Sequence, residues 1–325
     1  SDLCIALAAL MLAVVALWME IPIWFIFAIL CIRSVGAAFH TPSFQAIIPT
    51  IVPKDQLARC AGFTQSFESI SLILSPALAA VLYSVWSFSA IIFLDVIGAL
   101  IAITIVFLLP IPGNKRDDGG ERLHLWQDTK EGFLVLRSNK GMTAILVIST
   151  IYAFIYFPIG SLYPLITMTY FGGSVADSSL VEIVFSSGTL VGALLLGAVG
   201  NRLHKVRMIT ASIGVYGLGL ASAGLLPPEG LRPFILLSGL MGLTLPFFYG
   251  LRTAIFQSAV PGEYLGRVLS LAYSVALFAG PLGLLMGGGV SELIGVNYCF
   301  FICGVLAVCL AVVMLAVPSV RDSGV

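Results

Sequence analysis

The sequence predicts an all-α integral membrane protein, a bundle of spanning helices arranged as two parallel halves. Three observations predict it: the composition, the number of apolar segments of spanning length, and a short polar phrase that occurs twice. Apolar residues make up 59% of the 325 and charged residues 10%, where a soluble domain carries roughly 25% charged. A water-soluble globule of this size could not bury that much apolar surface without exposing large patches. The phrase Val52-Pro-Lys-Asp-Gln-Leu-Ala-Arg59 returns as Val260-Pro-Gly-Glu-Tyr-Leu-Gly-Arg267, each copy preceded by a Phe-Gln pair, Phe44-Gln45 and Phe256-Gln257.

A helix needs about 20 apolar residues to cross a bilayer, and in lipid only a helix satisfies its own backbone groups within one segment. Ten segments qualify: 3–19, 23–49, 60–83, 88–109, 141–166, 179–200, 206–226, 233–257, 264–288 and 296–317. The second carries Arg33 and His40. The third follows the first polar phrase and contains Glu68 and Ser75-Pro76. The fourth holds Asp95 and stops at Pro110, Pro112 and Gly113. The fifth carries a stripe of Tyr152, Tyr156 and Tyr163. The sixth runs into Gly197-Ala-Val-Gly-Asn-Arg-Leu-His-Lys205, and the eighth contains Arg252. The ninth follows the second phrase and is interrupted by Gly280-Pro281. Proline beside small residues suits a kink where helices move against each other.

Basic residues set the orientation. One set of alternating connections, with the C-terminal tail, holds 13 of the 16 Lys and Arg residues, and the opposite set holds only Arg232. By the positive-inside rule the basic side is cytoplasmic. The expected location is the cell membrane with both termini and the 110–140 connection inside. In that connection 11 of 31 residues are charged. Leu125, Trp126, Thr129, Phe133 and Leu136 lie at helical spacing there, which predicts an amphipathic helix on the inner membrane surface.

The phrase repeats 208 residues on and the helix pair around it superposes at offsets of 205–212, so the two copies occupy corresponding inner loops of two parallel halves. The expected division is 1–109, a linker at 110–140, and 141–325. The second half starts near Gly141, which places the start of its first-half counterpart ahead of Ser1 by roughly the length of two helices. A six-plus-six architecture is therefore expected, with ten helices present and the first two missing. Transporters built from such repeats place substrate between them near the bilayer midplane.

Six-plus-six helices with a charged central connection resemble the major facilitator superfamily. The stretches RSVGAAFHTPSFQAIIPTIVP, SPALAAVL, DTKEGFLVLRSNKG and PLITMTYFGG are similar to its macrolide-efflux-like branch of drug exporters. The segment GAVGNRLHK resembles that family's inner-loop motif Gly-x-x-x-Asp-Arg-x-Gly-Arg/Lys: Gly197, Arg202 and Lys205 match, while Asn201 replaces the Asp and His204 the second Gly. Arg33 resembles the Arg of an Arg-x-x-x-Gly motif, although Gly36 comes one position early. The segments at Pro76 and at Gly280-Pro281 resemble the antiporter motif of Gly-Pro followed by small residues, with Ser75, Ala79 and Ala80 replacing glycines in the first copy.

Ionisable groups deep in a span are costly and become functional candidates. Arg33, Glu68, Asp95 and His40 are the candidates for proton coupling. An Arg at mid-bilayer depth needs an anionic partner, and either Glu68 or Asp95 could supply it. Histidine as a residue type titrates near neutral pH, so His40 could carry protons, and against that stands a structural role in a hydrogen-bonded interface. Anchored on the Phe-Gln pairs, His40 and Arg252 occupy equivalent positions. The substrate cavity is expected among Gln45, Gln65, Tyr156, Tyr163, Arg252 and Gln257, with helix packing as the competing role of the tyrosines.

The function this supports is a secondary active transporter exporting amphiphilic, drug-like compounds such as macrolides, with a proton gradient as its energy source and no cofactor. A nutrient importer or symporter of the same architecture is the alternative, and a scramblase or channel a further one. Three histidines without His-Glu-x-x-His argue against an intramembrane metalloenzyme. The chain lacks a Gly-x-x-x-x-Gly-Lys-Ser/Thr loop, so it is not itself an ATP-driven pump, and no motif indicates an ATP-binding partner. Zero net charge suggests no nucleic-acid partner, and the six cysteines read as reduced thiols packed as small hydrophobes.

Overall fold

The computed structural model describes residues 7–12, 14–15, 22–86, 88–108, 132–134, 136–137, 139–202 and 204–316, some helix residues by their backbone alone. Every regular element among them is helical: α1 (Ile23–Ile51), α2 (Leu57–Val85), α3 (Phe88–Leu108), α4 (Lys140–Leu165), α5 (Val175–Val199), α6 (Lys205–Gly224), α7 (Leu231–Ala259), α8 (Gly262–Ile294) and α9 (Val296–Ala316). Residues 7–12 are helical as well. Among the described residues, α4 with its continuation to Tyr170, α5, α6, α7 and α9 are long and apolar enough to cross a membrane.

Several helices run beyond their apolar stretches, because hydropathy marks the lipid-facing part while capping marks the end. Ser174 and Asp177 form a capping box that starts α5 at Val175, four residues before its apolar run. The two polar phrases use one backbone device. Pro53 (φ −57°, ψ 145°) precedes a 3-10 turn leading into α2, and Pro261 (φ −57°, ψ 141°) caps α8 directly. A fixed φ and a missing N–H suit proline to this place. Between α8 and α9 a single residue, Gly295, turns the chain at φ 95°, a conformation that favours glycine.

The chain forms two compact units, one of Ser1–Ile51 with Leu74–Gly120 and one of Val52–Ile73 with Glu121–Val325. The first has a small core of Ala8, Leu12, Ile29 and Ile92, flanked by Phe25 and Phe93. Its α1 stays helical through Pro42 and Pro49.

The second unit is held by close backbone contacts at glycine. A Cβ on Gly188 or Gly192 of α5 would stand 2.0 or 2.2 Å from the carbonyl oxygens of Gly239 and Leu243 on α7. On the α6–α9 face, a Cβ on Gly304 would lie 2.2 Å from the Ala221 nitrogen. Small residues that let backbones touch are how helices associate in lipid, where apolar burial alone drives nothing. The start of α2 joins by the same means, since a Cβ on Gly62 would lie 2.2 Å from the Gly197 nitrogen, and one on Gly200 3.2 Å from Ala58.

Of the expected amphipathic segment, Leu125, Trp126 and Thr129 lie outside the described residues. Phe133 is exposed and Leu136 is 1% exposed. The Leu136 carbonyl accepts from the Thr143 hydroxyl at 2.6 Å. Asn139 caps α4 by accepting from the backbone N–H groups of Gly141 and Met142. Cys31, Cys60, Cys299, Cys303 and Cys309 are free thiols.

Candidate functional site: an aromatic cluster around a buried arginine

Three helices of the second unit bring aromatic rings together around Arg252. From α4 come Tyr152 and Tyr156, from α6 Tyr216, and from α7 Phe248 and Tyr249, one turn before Arg252. The Tyr152 ring lies 4.3 Å from Phe248 and 5.7 Å from Tyr216, and Tyr156 lies 6.0 Å from Tyr216 and 6.1 Å from Tyr249, centroid to centroid. The guanidinium carbon of Arg252 stands 5.2 Å from the Tyr249 ring centroid and 5.6 Å from that of Phe248. Such stacking stabilises a desolvated cation by about 2 kcal/mol.

Ser149 and Thr210 return their hydroxyls to the carbonyls of Ile145 and Val206, at 2.7 and 2.9 Å. The phenols and the guanidinium therefore carry the polar character of the cluster. Two of their polar atoms are buried without a hydrogen-bond partner, the Tyr216 hydroxyl and the Arg252 Nε. Tyr216 is fully buried and Arg252 is 6% exposed, whereas Tyr156 and Tyr249 are half-buried. Among the described residues no carboxylate forms an ion pair with Arg252. Tyr273 on α8 hydrogen-bonds Thr253 and lies within electrostatic reach of both Arg252 and Glu68.

The sequence-derived candidates separate into several environments. Tyr156 and Arg252 join the cluster. Tyr163 is in a second, closed one: it packs on Phe185, Phe234 and Phe300, and its hydroxyl meets the Met241 sulfur at 3.7 Å. Gln257 is 3% exposed on α7. Gln65 donates to Glu68 at 2.6 Å, both in the α2 segment that belongs to the second unit. Gln45, half-buried on α1, and His40, stacked on Phe44 at 6.1 Å and 9°, belong to the first unit.

Of the two partners open to Arg33, the structure selects Asp95. Arg33 Nη1 donates to Asp95 Oδ2, joining α1 to α3 within the first unit. The pairing of Arg33 with Glu68 is corrected accordingly: Glu68 accepts from Gln65, one turn away on its own helix. Nor is the ion pair sealed in a core, its side chains being 32% and 43% exposed.

At the inner-loop motif, Gly197 packs on the Gly62 backbone, Arg202 is exposed and Lys205 opens α6 half-buried. The side chains of Asn201, Pro76, Gly280 and Pro281 lie outside the described residues. Sequence reasoning missed Tyr216, Phe248, Tyr249 and Tyr273. For Phe248 and Tyr249 a signal existed, since aromatic residues three and four positions before an intramembrane Arg share its helix face. Tyr216 stands in a helix rich in Gly, Ala and Ser, where one large polar ring is conspicuous.

Spanning helices packed through glycine, with a polar-aromatic cluster between three of them, define a polytopic membrane protein. The family model described as Major Facilitator Superfamily matches residues 3–165 and 145–324. The chain belongs to that superfamily of multi-pass membrane transporters. It is 46% identical over 323 residues to Macrolide efflux protein A of Streptococcus pyogenes, covering 99% of this chain and 79% of that one. It is 48% identical over 286 residues to the Enterococcus faecalis protein of the same name, covering 87% and 88%. Among solved structures, the human organic anion transporter MFSD10 superposes with a TM-score of 0.74 at 15% identity, covering 96% of this chain and 75% of that one. The E. coli fucose:proton symporter FucP superposes at 0.72 and 14%, covering 96% and 82%. At such identities the two structures speak for the fold alone.

Proposed function

We propose that this chain is a cell-membrane exporter of macrolide-like amphiphiles, driven by the proton gradient, with its termini on the cytoplasmic side. The observation that carries the substrate class is the 46% identity to a macrolide efflux protein along nearly the whole chain. The geometry agrees with it. Half-buried tyrosines offer apolar faces to a bulky ring system, and the polar atoms behind them offer hydrogen bonds, the usual division of labour in a small-molecule site. Protons would be carried by a carboxylate within a span, and Glu68 and Asp95 are the candidates, Asp95 paired with Arg33 and Glu68 accepting from Gln65.

The test is drug accumulation in macrolide-sensitive cells expressing the complete gene, with and without a protonophore. The expected result is a lower steady-state level of erythromycin than in control cells, rising to the control level when the protonophore is added. Equal accumulation in both strains overturns the reading. Raised uptake would favour an importer instead.

A further inference from the structure

We propose that the Arg252 Nε and the Tyr216 hydroxyl are substrate-binding donors, and that they hold the uncharged, oxygen-rich face of an amphiphile rather than its amine. The inference rests on the export reading above and adds to it which chemical end of the substrate this unit takes, and with which atoms.

Both atoms are buried and neither has a hydrogen-bond partner. A native interior pairs nearly all such groups, and each exception calls for a cause. Arg252 is the sharper case, a cation 6% exposed and stacked on two rings, with no carboxylate beside it among the described residues. Aromatic faces answer the charge but not the N–H, because a ring offers no lone pair in the guanidinium plane. What completes this site must bring acceptors.

The arrangement also sets the acceptor's shape. Tyr216 packs tilted against Tyr156, Tyr156 meets Tyr249 edge to face, and Arg252 lies over Tyr249. The orphan donors therefore lie at the two ends of one run of rings. The middle two, Tyr156 and Tyr249, keep some exposure, while Tyr216 and Arg252 are buried. A ligand bridging the run needs an apolar body along the rings and at least two separated oxygens. Carbonyl, hydroxyl and ether groups on a large ring meet that description. An ammonium group does not, since it would face Arg252 across a low-dielectric gap where like charges repel strongly.

The experiment measures equilibrium binding of radiolabelled erythromycin to the purified protein, expressed from its complete gene, in detergent. Tyr216→Phe is nearly isosteric and deletes only the hydroxyl. Arg252→Lys keeps the charge and deletes the Nε donor. Tyr170→Phe, which loses a hydroxyl bonded to the Leu226 carbonyl outside the cluster, is the control. The expected result is about a three- to tenfold loss of affinity for Tyr216→Phe and at least that for Arg252→Lys, with Tyr170→Phe unchanged. Tyr216→Phe should also unfold at the wild-type temperature or above it, because it removes an unpaired buried group. If wild type binds and Tyr216→Phe binds equally well, the hydroxyl is held by buried water and the inference is overturned while the export reading stands. If wild type does not bind erythromycin, the export reading falls and this inference with it.

Discussion

Gly62→Ala should be among the most disruptive single-methyl changes in the chain, and the structure says why. The added Cβ would stand 2.2 Å from the Gly197 nitrogen, 2.6 Å from its Cα and 2.8 Å from the Leu196 carbonyl carbon. All three are backbone atoms of α5, so no side chain can rotate away. Ordinary contact begins near 3.4 Å, and α2 must therefore withdraw by about 1 Å. The neighbouring close approach of Gly200 to Ala58, where an added Cβ would stand 3.2 Å from the Ala58 backbone, goes with it. Overpacking of this kind costs about 1–3 kcal/mol, a roughly 5- to 150-fold loss of this packed arrangement relative to any in which the two helices part. The reciprocal change is the internal control. A Cβ on Gly197 would meet only the Phe63 ring at 3.6 Å and the Phe63 nitrogen at 3.7 Å, so Gly197→Ala should be nearly neutral. The assay is thermal unfolding of both variants purified in detergent, read beside erythromycin export. Gly62→Ala should melt several degrees below wild type and Gly197→Ala within a degree or so of it. A wild-type melting temperature for Gly62→Ala, or an equal loss in Gly197→Ala, would refute the packing argument.

Three further outcomes are expected. Glu68→Gln fixes a neutral side chain at that position and should remove the dependence of export on the pH gradient while keeping drug exchange; if Asp95→Asn does so instead, Asp95 carries the proton. Because Arg33 and Asp95 pair across α1 and α3, Asp95→Ala should lower the yield of folded protein, and the exchange of Arg33→Asp with Asp95→Arg should recover part of it; a swap no better than the single variant argues against the pair. A cysteine placed at Asp118 should resist a membrane-impermeant maleimide in intact cells and react once the cells are opened, and labelling from outside would reverse the assigned topology.

Much of the fold was legible because lipid imposes a strict rule. Among the described residues, nine long helices overlap apolar runs of spanning length, and the repeated phrase marks two helix starts with matching proline backbones at Pro53 and Pro261. Helix ends were less legible, since the Ser174–Asp177 box extends α5 into a stretch that hydropathy reads as loop. Which helices touch was not legible at all. Glycines 188, 192, 217 and 304 are visible in the sequence, but α5 meeting α7 and α6 meeting α9 depends on three-dimensional order that spacing on one helix does not encode. The site shows the same limit. Tyr156 and Arg252 could be chosen by depth and face, whereas Tyr216 joins them only through the approach of α6. The choice of Asp95 over Glu68 as the partner of Arg33 likewise rests on which helix lies beside α1.

The most direct test of the account is erythromycin uptake into inverted membrane vesicles carrying the protein, energised by an acid interior. Inversion turns export into uptake, so drug should accumulate against its gradient, in exchange for protons leaving, and drain when a protonophore collapses the gradient. Uptake that is absent, or that persists unchanged after the collapse, would contradict proton-driven macrolide export.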